Sequence, residues 1–321
     1  MKNFKHLIVL TLIMSLLASL ISCGAKTKTA DSASGSGSVT EATEQANAES
    51  STDIANAEPV INYPRVDGST ANMPMMAMIR SHYTGESLTE AENNTEVTTT
   101  DYSWRNLLDG KCDLLLVYEP SSETKKIIEE SNVKLKVTPI GVDALVFLMN
   151  EKNPINNFTT KELQDIYSGK ITNWKDLGGE DKKIEAYQRV LNSGSQTLFL
   201  NLLMKDVEPV DAPTKYRIQG MDGLVEEIAS YNDEANALGY SVFYYAKKMY
   251  AVPGLKLASV DGVEPNDETI GKGEYPFLNE YYLVIREDEP EDSETTKLYN
   301  YILSESGRQD IIEAGYIPVQ K

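Results

Sequence analysis

The chain has 321 residues, 41% of them hydrophobic and 25% charged, and its 30 Lys and Arg against 49 Asp and Glu give a formal charge of -19. The length suits one large domain or two lobes, and so acidic a balance argues against a protein that grips nucleic acid or anionic lipid through its overall field. Two histidines and two cysteines leave little for a His- or Cys-based metal site or a disulfide framework, and no cofactor is expected.

Residues 1–22 read as a signal peptide: Lys2 and Lys5 make a positive start, and the apolar run over 7–21 is too short for a comfortable membrane span. The run ends in Leu20-Ile21-Ser22-Cys23, which resembles the lipobox of bacterial lipoproteins. That resemblance implies cleavage before Cys23 and acylation of Cys23, and so an extracytoplasmic protein anchored to the cell membrane; the alternative is an ordinary secretory signal. Cleavage would remove Lys2, Lys5 and His6 but no acid, moving the formal charge from -19 to -21. His82 would then be the remaining histidine and Cys112 the other cysteine, so no intrachain disulfide is available. Residues 24–58 contain no aromatic, Leu or Met and cannot bury enough apolar area to offset their ordering entropy. With Cys23 they read as a disordered tether that sets the folded body on the order of 30 Å from the membrane.

From about Pro59 apolar strands alternate with helical segments. Asp67-Gly68-Ser69-Thr70-Ala71-Asn72-Met73 leads into a helix over 74–83, and Thr98-Thr99-Thr100-Asp101 into a helix carrying Trp104, Leu107 and Leu108. A strand over 113–118 is followed by Glu119-Pro120-Ser121-Ser122, and a second strand covers 144–149. Thr159 and Glu162 form a capping box before a helix that stops near Gly169. Asn192-Ser193-Gly194-Ser195-Gln196 leads into a helix over 195–204; strands over 239–245 and 281–285 and a helix over 296–303 complete the set. Such alternation indicates α/β architecture.

The chemistry concentrates where loops enter helices. A helix start exposes N–H groups at the positive end of the peptide dipoles, so small polar residues there can hold an anion without net positive charge. Arg189 lies four residues before Ser193, close enough for its guanidinium to face the same point and bind two oxyanion oxygens. Each feature also has a plainer explanation. Ser, Thr and Asp are preferred caps, a lone Arg is usually solvated, Glu119 could be a surface carboxylate, and His82 a surface helix residue. The methionines at 73, 75, 76 and 78 suit core filling. Several junctions together with an Arg in register favour the anion site.

The segment over 166–197, IYSGKITNWKDLGGEDKKIEAYQRVLNSGSQT, resembles the periplasmic-type phosphate-binding proteins of phosphate ABC transporters, as do VDGSTANMP at 66–74, GYSVFYYA at 239–246 and SESGRQDIIEAGYIPV at 304–319. The resemblance implies a two-lobed, type II periplasmic-binding-protein-like α/β fold, with the ligand in a cleft and the lobes joined by two crossing strands. The first crossing is expected near Gly141 to Asp143 and the return near Tyr245 to Lys247, giving lobe one as 59–143 plus 247–321 and lobe two as 144–246. It further implies that Arg189 clamps the anion and that Ser193, Gly194 and Ser195 donate to it. Asn72 and Met73 would offer backbone N–H groups, Ser69 and Thr70 would shape the turn, and Thr99 or Thr100 would supply a hydroxyl. Glu119 stands where the family commonly has an aspartate, which would accept a hydrogen bond from a protonated tetrahedral anion and disfavour sulfate.

The function implied is capture of inorganic phosphate by hinge closure and delivery, as a monomer, to an ABC transporter permease, without catalysis and without nucleic acid. Two alternatives stand beside it: a binder or sensor of another tetrahedral oxyanion, and a phosphate-ester-processing enzyme. The enzyme has no Gly-x-x-x-x-Gly-Lys-Ser/Thr loop or metal-type His cluster to draw on, and a hydrolase triad would have to use His82.

Overall fold

The computed structural model describes residues 62–191, 193–230 and 235–320; the signal peptide, Cys23 and the tether over 24–58 lie outside them. In chain order the elements are β1 (Val66–Gly68), a 3-10 turn (Thr70–Asn72), α1 (Met73–Thr84), α2 (Leu88–Asn93), α3 (Thr100–Leu108), β2 (Leu114–Tyr118), α4 (Ser122–Glu130) and the long β3 (Leu135–Asn150). Then come β4 (Asn157–Phe158), α5 (Thr160–Tyr167), β5 (Glu185–Ala186), β6 (Gln188–Arg189), and α6 (Gly194–Leu198), which runs on as a π-helical turn over Phe199–Leu203. The remainder is β7 (Arg217–Ile218), α7 (Met221–Ser230), β8 (Ala237–Val242), a π-helical turn (Tyr245–Met249), β9 (Leu255–Leu257), β10 (Ser259–Val260), α8 (Asp267–Gly271), β11 (Leu278–Arg286), α9 (Glu294–Leu303), α10 (Glu305–Glu313) and β12 (Ile317–Pro318). This is an α/β fold, and the Thr159–Glu162 capping box forms at the start of α5.

The main sheet runs β1-β2-β11-β3-β8-β5, with β9 and β12 also on β3. β2 is buried along its whole length, as an unbroken Leu-Leu-Leu-Val-Tyr run requires when both faces are covered. β3 organises the rest: residues 135–144 pair antiparallel with β11, then 145–149 pair with β8. Its first half is absent from the sequence expectation because Pro139 and Gly141 interrupt the strand signal. Both are accommodated. The register slips between Tyr281 and Tyr282, beside Pro139, where the ladder lacks an N–H donor, and the Tyr281 ring fills the space a Cβ on Gly141 would need.

Two expectations change in the second half. The strand expected over 239–245 ends at Val242, and Tyr245–Met249 turns helical, because Tyr244 leaves the ladder to stack on Tyr316 at 3.6 Å and to donate from its hydroxyl to Ala314 O at 2.7 Å. The expected return at Tyr245 to Lys247 does not keep the chain with β1 and β2 either. β9 pairs with Leu148–Asn150 and β10 with β4, so residues 255–260 sit with the β8 half of the sheet. The chain rejoins the other half through α8 and β11.

Candidate functional site

A cavity of about 280 Å³ opens between the β1–α1, α3 and β2 side of the sheet and the β6, α6, α7 and β8 side. The first wall is built by close packing. Gly68 has no room for a Cβ, because Leu116 O lies 2.1 Å from that position, and this tight β1–β2 contact brings Ser69 to the sheet edge. Ser69 Oγ accepts from Tyr118 N at 3.0 Å and shares a 2.8 Å bond with Thr100 Oγ1. Asp67 fixes the neighbouring loop, accepting from Thr98 N, Thr98 Oγ1 and Asn106 Nδ2 at 2.8, 2.7 and 2.9 Å. Asp101 accepts from Ser121 N and Oγ at 2.8 and 2.6 Å, tying α3 to the loop after β2. Between these clamps Thr99 holds φ 154° and ψ 171°, a region that costs a non-glycine residue about 1–3 kcal/mol and is sustained by surrounding structure.

The second wall centres on Arg189. Its Nε donates to Ile218 O at 3.0 Å and its Nη2 to Gln219 O at 2.7 Å, so the β6–β7 pairing orients the guanidinium. Arg189 N donates to Gln196 Oε1 at 2.9 Å, which ties β6 to α6. Ser193 Oγ caps α6 by accepting from Gln196 N at 3.3 Å, leaving its own proton to donate. Arg189 Nη1 and Ser195 Oγ are buried and have no hydrogen-bond partner among the described residues. Burial lowers the pKa of Arg189 below its ordinary value, against the opposing fields of Tyr240, Tyr245 and Asp222. The cation is thus desolvated with no ion pair to a carboxylate among the described residues. Gly194 comes so near the first wall that a Cβ there would meet Thr100 Oγ1 at 2.5 Å.

Of the residues expected from sequence, Ser69, Thr70, Thr99, Thr100, Arg189, Ser193, Gly194 and Ser195 line this cavity together. Three do not. Asn72 and Met73 spend their backbone N–H groups on Ser69 O and Thr70 O inside the 3-10 turn, and Asn72 Nδ2 donates to Leu116 O at 3.1 Å. Glu119 follows Tyr118, which faces the cavity, so the strand's alternation turns Glu119 away; it forms an ion pair with Lys125 instead. The bidentate grip expected of Arg189 is also reduced, since Nε and one Nη2 proton are taken by carbonyls and Nη1 is the free end.

Sequence reasoning missed the loop Gln219-Gly220-Met221-Asp222, which enters α7 and lines the cavity, although its Gly and Asp carry the same helix-start signature as the other junctions. Asp222 is the carboxylate among the lining residues and is exposed. Tyr245, also missed, lines the wall with its hydroxyl pushed up to about 12, chiefly by burial and then by Asp222. His82 lies elsewhere, 2.6 Å from Asp310 through Nδ1, and the Cys112 thiol is pushed up to about 12 by burial. No group of three or more His, Cys, Asp or Glu among the described residues could hold a metal ion.

Comparison with known proteins adds the lineage. The family described as PBP superfamily domain matches residues 25–306. The phosphate-binding protein PstS of Borreliella burgdorferi is 27% identical over 262 residues, covering 79% of this chain and 89% of that protein. An ABC-type phosphate transport receptor from Vibrio cholerae superposes with a TM-score of 0.60 at 24% identity, over 78% of this chain and 98% of its own. A protein from Clostridium perfringens, described as a candidate phosphate ABC transporter substrate-binding protein with bound phosphate, superposes with a TM-score of 0.63 at 22% identity, over 81% and 100% of the two chains. The shared architecture is the two-lobed α/β fold of periplasmic binding proteins, and on the extent of the family match the chain belongs to the PBP superfamily.

Proposed function

We propose that the chain is an extracytoplasmic receptor, anchored to the cell membrane through a lipidated Cys23, that captures inorganic phosphate for an ABC importer and makes or breaks no bond. The observation that carries this reading is the pair of buried donors, Arg189 Nη1 and Ser195 Oγ, left without a partner among the described residues in one cavity. A desolvated cation and a desolvated hydroxyl each cost free energy until an acceptor reaches them, and one oxyanion satisfies both. Ser69, Thr70, Thr99, Thr100 and Ser193 line the same space with further hydroxyls. The acidic net charge does not oppose this, because acids farther than roughly 10 Å are screened in physiological salt. Similarity to proteins named for phosphate favours that anion over other oxyanions.

Asp222 takes the role expected of Glu119. A carboxylate at the cavity accepts a hydrogen bond from a protonated oxygen and repels a fully ionised sulfate. The walls meet across the cleft, so binding draws two lobes together by hinge closure; the strand pairing supports lobes of 59–143 plus 264–321 and of 144–263. The closed monomer then docks on a membrane permease. The described cavity walls carry no imidazole and His82 is engaged with Asp310, so an enzymatic reading would have to use Asp222 as its general base.

Calorimetry on the chain freed of residues 1–23 tests the reading. One phosphate per chain should bind with little competition from sulfate. Absence of phosphate binding, or equal affinity for the two anions, would overturn it.

A further inference from the structure

Asp143 is a buried acid with no counter-ion among the described residues, in the strand that joins the two halves of the sheet. It sits in β3 next to the point where the strand changes partner from β11 to β8, with only 2% of its surface exposed. Its carboxylate is held by hydrogen bonds alone. Tyr118 OH donates to Oδ2 at 2.7 Å, Ala144 N to Oδ1 at 2.7 Å and Tyr244 N to Oδ1 at 3.2 Å. Among the described residues it forms no ion pair. One side chain therefore ties together the end of β2, the crossing strand and the exit of β8.

Two of these partners lead to the anion cavity. Tyr118 lines it, and Tyr118 N donates to Ser69 Oγ, which in turn bonds Thr100 Oγ1. Tyr244 is followed directly by Tyr245, another cavity wall. The groups facing Asp143 from the surrounding elements are phenols: Tyr118 on β2, Tyr281 on β11, Tyr244 after β8 and Tyr316 before β12. The full charges around this group include Asp267, which shares a small cavity with Asp143, Lys248, which pairs with Asp267, and Arg308, whose field acts on Tyr281.

We infer that Asp143 is a positioning residue for the anion cavity, holding the Tyr118 wall and the hinge in their binding arrangement while ionised and releasing them when it is protonated. A carboxylate can accept from Tyr118 OH and the backbone N–H groups together; a carboxylic acid carries a proton on one oxygen, so the Tyr118 hydroxyl has to swing its own hydrogen away from Oδ2 and accept instead, which loosens this tie. Burial pushes the Asp143 carboxyl up to about 6, against the pull of these hydrogen bonds, so the change falls in mildly acidic conditions. Anion capture would then weaken on acidification through the hinge, independently of the anion's own titration. The inference rests on the proposed anion site.

The test compares wild type, Asp143→Asn and Tyr118→Phe with inorganic phosphate as the probe. Because all three meet the same ligand, its protonation cancels in the ratio of their affinities. Near neutral pH both variants should bind about tenfold more weakly than wild type, and the ratio should fall towards one by about pH 5. A ratio that stays constant over that range would overturn the inference. A ligand-free readout separates this from the anion reading: amide resonances of Ser69, Thr100 and Tyr118 should titrate in wild type with a midpoint of about 6 and stay flat in Asp143→Asn. Titrating amides without phosphate binding would sink the proposed function and leave the coupling standing; amides that do not titrate would sink the coupling.

Discussion

Gly194 offers a sharp perturbation because it is where the two cavity walls touch. A Cβ at that position would lie 2.5 Å from Thr100 Oγ1 and 3.4 Å from Thr100 Cβ. Thr100 is buried and its hydroxyl is held by Ser69 Oγ at 2.8 Å, so it cannot turn aside without losing that bond. Ordinary contact begins near 3.4 Å, and Gly194→Ala therefore has to open the walls by roughly 0.9 Å, an overpacking strain of about 1–3 kcal/mol. With lobes that part in the ligand-free form, as proposed, the strain should fall on the bound form and weaken phosphate affinity about 5- to 150-fold. Calorimetry on the variant reads the affinity, and urea unfolding of the ligand-free protein should show little loss of stability. Unchanged phosphate affinity in Gly194→Ala would refute the idea that these walls close on the ligand.

Substitutions at three further positions probe the cation, the selectivity and the hinge separately. Arg189→Ala should cost about 2–5 kcal/mol of phosphate affinity by calorimetry. Arg189→Lys should not restore it, because an ammonium cannot bond Ile218 O and Gln219 O while presenting a second nitrogen to the ligand. Asp222→Asn should lower the preference for phosphate over sulfate by about tenfold or more in competition binding, since a neutral amide no longer repels the ionised oxygen; an unchanged ratio would remove Asp222 from selection. For Asp143 the sign follows from its raised pKa, about 6 in the fold against 3.8 for an unperturbed Asp. The folded protein binds this proton more tightly, so the associated stability is present below about pH 4 and is lost as pH rises through about 6, with roughly 2–3 kcal/mol at stake. Asp143→Asn should therefore gain thermal stability relative to wild type as pH rises from about 4 to about 7; a constant difference in Tm would contradict the linkage.

Much of the cavity's lining was legible because its chemistry is local. Ser193-Gly194-Ser195 and Thr98-Thr99-Thr100 announce helix starts by composition alone, and they line the cavity as expected. What failed was phase and long-range contact. β2 is apolar on both faces, so its alternation gives no visible phase, and only the fold reveals that Tyr118 faces the cavity and Glu119 faces Lys125. Asn72 and Met73 looked like donors because the 3-10 turn that consumes their N–H groups leaves no mark in composition. The first half of β3 was hidden by Pro139 and Gly141, whose tolerance depends on the partner strand β11. The same holds for the return of the chain: β9 and β10 are two short pairings whose partners lie about a hundred residues earlier in the chain. Asp143 reads as one acid among many until three segments converge on it.

In the proposed complex Arg189 Nη1 and Ser195 Oγ are completed by a phosphate held between the two walls. A crystal structure of the phosphate complex tests it most directly. Phosphate oxygens should lie about 2.7–3.1 Å from both atoms, with Thr100 and Gly194 in contact across the cavity. Phosphate bound away from Arg189, or a cavity that stays empty at saturating phosphate, would contradict it.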